Sequence, residues 1–505
     1  KEKSDLQRNE MGSIYAYVMA DRIFGDVTTN AKDSLVINVY GKNGSQIGTC
    51  TAEKAENLTA KPKTLTWRMN FGADDSDSWK MEWANGAPSI DNMPAKVQVV
   101  VDGVALGEAE VKLTQNGDGQ NPVFAAKTEA DGKIRSFIVS EGFGFSKAAA
   151  TLVSAAVEGD NIAILKEGIY TVPTGKNLTI TGKVAGVKFD MSKAVGVHSS
   201  MTFNNVTFEY STNKNYIGLQ HAGTMVYNNC TIEGQVFLYG ASETFNNCTF
   251  KQDSSDAYNV WTYGAKEVAF KNCTFNSAGK SVLIYAEQAG IFNTVTVEGC
   301  TFNASQEVEG KAAIEMDSSL TGGINLTIDA ATTATGFGTG NVSGNSLWNN
   351  KKGNGNNANN DITVTVKGET VLAPKYEAKI GETGHRRFQE AIDAVKNGEK
   401  ITLVGNSDQT VKINKSDVNV IIEGQDDITF TGKIEINIGQ NVTIKNVNFV
   451  HSAEDKHDFI ANEGSPTGKN YNTTLLVEGC SFTGNGKQNT VAVRTIHPTS
   501  VMIKE

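Results

Sequence analysis

The chain has 505 residues, 39% of them hydrophobic and 20% charged, with 50 glycines and a formal net charge of −10. That length exceeds one ordinary globular core and calls for several domains or a solenoid. No apolar run approaches the roughly 20 residues of a membrane-spanning helix, and the acidic balance argues against nucleic acid, whose phosphates need a basic face.

The chain opens KEKSDLQRNEMG, with neither an initiator Met nor a signal peptide. It has the look of a segment cut from a longer precursor, so location must be read from architecture. Residues 1–30 carry no firm assignment; SIYAYVMADRIF is compatible with a strand of a preceding domain. Over 31–137 the runs SLVINVY, TLTWRMNF, KVQVVV and AEVKL alternate as strands, and Asp102-Gly103 is a hairpin signal. This spacing predicts an immunoglobulin-like β-sandwich with Trp67 and Trp83 in its core. Asp74, Asp75 and Asp77 lack the spacing of an EF-hand calcium loop, and no metal is expected there.

SKAAATLVSAAVEG (146–159) reads as an amphipathic helix stopped by Gly159. Placed there, it would cover the open strand edges at the start of a solenoid. The solenoid is announced by a repeated phrase: NNVTF at 204, NNCTI at 228, NNCTF at 246, KNCTF at 271 and EGCTF at 298. Irregular repeats of about 20–30 residues, each a short β run bounded by Asn and Gly, fit the turns of a parallel β-helix. A second column runs alongside: VFLYGA from Val236, VWTYGA from Val260 and VLIYAE from Val282. Two columns advancing together fix the register. Cys230, Cys248, Cys273 and Cys300 are then expected as a reduced interior stack. Parallel neighbours fit the disulfide torsion poorly, and no paired C-x-x-C spacing suggests zinc.

The opening recurs. RRFQEAIDAVKNGEKITLV (386–404) aligns with the 146–165 segment, Lys445-Asn-Val-Asn-Phe449 repeats the phrase, and Cys480 rejoins its column. The Asn/Gly-rich stretch 349–361 separates the two. The expected layout is therefore a sandwich at 31–137, a first β-helix with capping helix at 138–372, and a second at 373–505. Residues 500–505 match those just before Cys273, so the second β-helix is expected to be incomplete at its C-terminus. The fold class is all-β: a sandwich, then right-handed parallel β-helices each opened by a short capping helix.

From 146 onward the chain resembles the right-handed parallel β-helix proteins of the pectin-lyase-like superfamily. AKIGETGHRRFQEAIDAVKNGEKITL (378–403) is similar to a recurrent phrase in large modular surface proteins of gut-associated bacteria. The resemblance implies the fold; it leaves activity open, because such solenoids serve as lyases, hydrolases, tailspikes and adhesins. The lyases' catalytic Arg has no counterpart, since no Arg occurs between 146 and 380. Of the polygalacturonase phrases only the pair Asp426-Asp427 is present, and it reads as a solvated turn.

Glu315 and Asp317, at i and i+2 on one strand, are the candidate acid–base pair of a hydrolase; ordinary strand-edge acids are the simpler reading. His198, His221 and His451 stand isolated, and Gly336-Phe-Gly-Thr-Gly340 reads as a flexible turn. The candidate ligand-binding face comprises Phe237, Tyr239, Trp261, Tyr263 and Tyr285, with Leu283 beside them, on the outside of adjacent turns. Stacked aromatics with polar rims suit sugar rings or a protein partner, unless a loop or neighbouring module covers them. The expected function is a non-catalytic extracellular or cell-surface binding protein, adhesin-like or glycan-binding. A polysaccharide lyase, a glycoside hydrolase or a tailspike-like protein is the alternative. No cofactor or metal is expected. The expected partners are a glycan or a host or cell-surface protein, and adjoining domains of a longer chain.

Overall fold

The computed structural model describes residues 15–19, 35–52, 64–68, 79–86, 88–101, 103–111, 113–114, 125–138, 158–192, 195–196, 199–210, 219–220, 223–238, 242–262, 265–286, 292–317, 323–351, 362–415, 418–437, 441–462, 473–487, 490–495 and 499–505. The chain divides into two compact units, Lys1–Val371 and Leu372–Glu505. Both are built almost wholly of strands, and the fold is an all-β parallel β-helix. The expected helix at 146–159 lies outside the described residues apart from its last two positions. Among the described residues no helix is long and apolar enough to cross a membrane.

In the first unit the coils from Thr224 to Lys351 give one strand to each of three sheets in turn. Thr224–Asn228 enters a twelve-stranded sheet, Thr231–Glu233 an eight-stranded one and Val236–Leu238 a five-stranded one, before Ser242–Asn246 begins the next coil. We call these the first, second and third sheets. Successive coils pair parallel and in register, so identical positions stack. Phe208, Ile232, Phe250, Phe275 and Phe302 form one column, and Phe203, Tyr227, Phe245 and Phe270 another. Their rings lie parallel where the column is most regular: 4.5 Å between Phe250 and Phe275, and 4.4 Å between Phe275 and Phe302. Each such ring, taken fully out of water, contributes roughly 1.5–3 kcal/mol of apolar burial.

The repeated phrase is the corner between the first and second sheets. Its second letter is a turn residue in the left-handed region: φ is 52° at Asn229, 53° at Asn247, 52° at Asn272 and 62° at Gly299. Asn and Gly tolerate that conformation at least cost. The chain direction after this turn sends Cys inward, Thr outward and Phe inward. Cys230, Cys248, Cys273 and Cys300 are free and buried. Each thiol donates to a backbone carbonyl one coil earlier, as from Cys273 Sγ to Phe245 O at 3.3 Å. The residue before the turn makes an outward ladder: Asn246 Nδ2 donates to Asn228 Oδ1, and Asn228 Nδ2 to Asn204 Oδ1, both at 2.8 Å.

Two expectations on the N-terminal side need correction. The strand Tyr15–Met19 belongs with its neighbours, pairing antiparallel with Thr64–Arg68 and Leu113–Thr114. At the other end, Ala125–Thr128 and Ile134–Ile138 do not stay with the five-stranded antiparallel sheet of 35–110. They join the first sheet of the solenoid, with Ala125–Thr128 antiparallel to Asn161–Ile164. Lys127 is pinned there by a buried ion pair with Asp160 at 3.2 Å. This hairpin occupies the edge that the sequence assigns to a helix.

The second unit repeats the plan with seven-, four- and three-stranded sheets. A hairpin, Ala378–Ile380 and Thr383–His385, precedes its first parallel strand, Lys400–Leu403. Between them stands the helix Phe388–Ala394, with Phe388, Ala391 and Ile392 buried in the unit's core. Glu377 ties it down by accepting from Phe388 N at 2.9 Å. Asp426 and Asp427 form an exposed turn, with Asp427 at φ 66°.

Candidate functional site

The candidate face is the outer side of the third sheet. One outward column runs Phe237, Trp261, Leu283, Glu315, Asn349, and beside it Tyr285 pairs with Asp317 and Asp317 with Lys351. The expected alternation holds for the inward residues Val260, Thr262, Val282 and Ile284, all buried. The outward residues depart from expectation. Phe237 is 3% exposed, Leu283 2% and Glu315 0%. Trp261 and Tyr285 are half-buried, and Tyr239 and Tyr263 lie outside the described residues. The open aromatic ladder inferred from sequence is therefore corrected to a largely covered face.

Loops from the same coils do the covering. The loop before Val260 lays Tyr258 against Trp261, ring centroids 6.4 Å apart and near perpendicular. Buried amides hold that loop: Gln235 Oε1 accepts from Tyr258 N at 2.9 Å, and Asn259 Nδ2 donates to Asn276 O at 2.9 Å. The loops before Ile314 and Trp348 close over the acidic end. Glu315 Oε1 accepts from Ala312 N at 2.8 Å, while Oε2 accepts from Asn349 Nδ2 at 3.0 Å. Asn349 Oδ1 in turn accepts from Val342 N. The GFGTG run belongs to this covering. A Cβ at Gly336, whose φ is 81°, would lie 2.4 Å from Ala304 O, and one at Gly338 would lie 2.3 Å from Val308 O. Those glycines allow close backbone approach rather than flexibility.

What stays partly open is an aromatic cluster. Trp261 meets Phe237 at 5.9 Å, Tyr258 at 6.4 Å and Tyr285 at 5.8 Å, all edge to face. Lys280 Nζ lies over the Tyr258 ring, 5.3 Å from its centroid. Burial, and then the charges of Glu315 and Asp317, push the Tyr258 phenol well above its ordinary value. Tyr258 and Lys280 were not legible as site residues. Both sit in loops outside the strand columns, and only loop length hinted at them.

Elsewhere, His451 is not isolated: it stacks on Phe459 at 3.9 Å and stands 5.0 Å from the His457 ring. His198, His221, Asp74, Asp75 and Asp77 lie outside the described residues. Among the described residues no group of three or more His, Cys, Asp or Glu is placed to hold a metal ion. An open cleft of about 290 Å³ beside the hairpin is lined by Asp91, Glu129, Asp131 and Lys183, and Lys183 is paired with Asp91 at 2.7 Å.

No protein-family model matches this chain, and no curated protein matches it. Among solved structures, the catalytic domain of a GH87 alpha-1,3-glucanase in complex with tetrasaccharides is similar at 12% identity, over 97% of this chain and 89% of that one. The TM-score is 0.16. So loose a likeness bears on neither fold nor function.

Proposed function

We propose that the chain is a non-catalytic binding protein of the extracellular space or cell surface, an adhesin-like β-helix that takes glycans on the outer face of its third sheet. The location and the kinship with pectin-lyase-like surface modules rest on the resemblance of 146–505. The observation that carries the binding reading is the contrast within one face. Glu315 has both carboxylate oxygens committed to its own loop and strand neighbours, whereas Trp261 and Tyr285 remain half-open. A lyase or hydrolase would need an acid free to exchange a proton with substrate. A carboxylate sealed at 0% exposure is poorly suited to that, while a half-open indole edged by tyrosine can still stack on a sugar ring. The test is a glycan array on the whole chain, run beside a polysaccharide depolymerisation assay. Binding without chain cleavage is the expected result. Release of oligosaccharides, abolished by Glu315→Gln in a protein that still folds, would overturn it in favour of the enzyme.

A further inference from the structure

The second unit holds two imidazoles that the proposed function does not use, both from the run HSAEDKHDF at 451–459. His451 follows the strand Asn448–Val450, two positions after the buried Phe449, and its ring stacks on Phe459 at 3.9 Å. It is 7% exposed, and neither ring nitrogen has a hydrogen-bond partner. Buried polar atoms are nearly always paired, and an exception points to a ligand. His457 stands across from it, with ring centroids 5.0 Å apart and planes at 79°. A tetrahedral ion with metal–nitrogen bonds of about 2.0–2.1 Å sets its two imidazole centroids roughly 5 Å apart. His457 Nε2 contacts Gly432 O at 3.1 Å. A carbonyl only accepts, so Nε2 carries the proton and Nδ1 keeps its lone pair, the arrangement that orients a metal-binding histidine. A carboxylate is close to both rings. Burial opposes it, but hydrogen bonds from Ser452, and then the charges of His457 and His451, hold the Asp455 carboxyl below its ordinary value. His457 and Asp455 are half-exposed, so the pair is approached from solvent on their side.

We infer that His451 and His457 form a clip for a divalent transition-metal ion of the zinc type, which ties the 452–458 loop to the end of the strand Asn448–Val450. Two imidazoles are the protein's share of the shell, and water fills the rest. Asp455 balances charge and is not placed to complete a three-residue ligand set. Ligand chemistry sets the class of ion: neutral imidazole suits zinc, copper and nickel, whereas magnesium and calcium take oxygen. The inference is independent of the proposed function, because the clip lies in the second unit and the glycan face in the first.

The experiment is calorimetric titration of the whole, tag-free chain with zinc chloride, with magnesium chloride as the control. Trypsin cleavage after the exposed Lys456 is the local readout. Zinc is expected to bind and to slow cleavage at Lys456 several-fold, while magnesium does neither. His451→Phe keeps a ring on Phe459 and removes both nitrogens, and His457→Gln alters only a half-exposed loop residue. Each should weaken zinc binding roughly tenfold or more and abolish the protection at Lys456, whereas His385→Gln should change neither. Absence of zinc binding would overturn the inference, as would protection that survives both substitutions or is given equally by magnesium. If His451→Phe does not fold, His457→Gln decides alone.

Discussion

Two faces of the same solenoid follow different rules. On the middle coils of the first sheet burial alternates: Ser242–Asn246 and Glu267–Lys271 bury every second residue and show the others to water. On the third sheet Val236–Leu238 and Ile314–Asp317 are buried throughout. The difference is coil length. From Met201–Asn204 to Phe292–Glu298, strands of the first sheet lead through a two-residue corner into the second, leaving no chain to spare. Later strands of the third sheet are entered through the loops 252–259, 305–313 and 336–347, and the surplus folds back as a strap. The second unit repeats this, since Ile460–Asn462 is buried throughout and follows the loop carrying His457 and Asp458. Asp458 fixes that loop by accepting from Val491 N at 2.9 Å and pairing with Arg494 at 2.6 Å. A parallel β-helix thus keeps its bore regular and varies its outer face by strap length.

The largest expected effect lies in the bore, where both rules agree. Phe270 is fully buried and stacks on Phe245 at 5.4 Å, with Phe250 and Phe275 edge-on. Phe270→Ala removes one rung that neighbouring coils cannot collapse to fill, and should cost about 3–5 kcal/mol, read from the urea midpoint. A loss below 1 kcal/mol would mean that the column is not close-packed.

A strap residue should come next. Glu315→Ala leaves Ala312 N and the Asn349 amide without their acceptor in a dry site. Hydrogen bonds to charged groups and the desolvation of stranded donors put the cost at about 2–3 kcal/mol. Limited proteolysis should then open the 305–313 loop. Glu267→Ala is the comparison, an exposed residue of the first sheet expected within about 0.5 kcal/mol of the parent. Equal effects at the two positions would erase the distinction between covered and open faces.

The thiols test the bore more gently. Cys273→Ser buries a hydroxyl in place of a thiol that only weakly needs a partner, and should cost about 1–3 kcal/mol. The neighbouring thiol, with burial adding to it, pushes Cys248 and Cys273 up to about 12. An unfolded cysteine titrates near 8.5, so the native state holds these protons more tightly than the unfolded one. Their contribution to stability is complete below about pH 8.5 and falls as pH rises from there towards 12. Site-resolved alkylation at pH 8 should leave Cys230, Cys248, Cys273 and Cys300 unlabelled until unfolding, while half-buried Cys480 reacts earlier. Prompt labelling of the four would contradict the interior stack.

How much of this was legible follows from the same contrast. The Cys and Phe columns repeat in sequence because each coil must present the same side chain to the same neighbour, so register and inward direction could be read directly. The straps do not repeat. Nothing in SSDAY announced that Tyr258 would lie against Trp261, and GFGTG reads as a flexible turn until Ala304 and Val308 are seen against it. Alternation alone assigns Phe237 and Leu283 to solvent, because period two specifies a face and is silent on what covers it. The hairpin Ala125–Thr128 with Ile134–Ile138 pairs with the solenoid rather than the antiparallel sheet for a related reason. Its alternating pattern fits a sandwich edge and a solenoid edge equally well.

The smallest expected effect concerns the corner that makes the bore regular. Asn247 sits at φ 53°, where most L-residues crowd their own carbonyl and lose about 1–2 kcal/mol relative to Asn or Gly. The protein has run the comparison itself, using Asn at 205, 229, 247, 272 and 446 and Gly at 299 and 479 for the same turn. Asn247→Gly should therefore change stability by only a few tenths of a kcal/mol, the relief of strain being offset by the greater freedom of Gly in the unfolded chain. Asn247→Ala keeps a Cβ without the amide that tolerates this conformation, and should cost about 1 kcal/mol. Both are read from paired denaturation curves with unchanged slopes. If Ala proves as well tolerated as Gly, the phrase is not held by backbone conformation. The Asn would then be kept for its side-chain contacts, and the corner rather than the strand columns would need a new physical account.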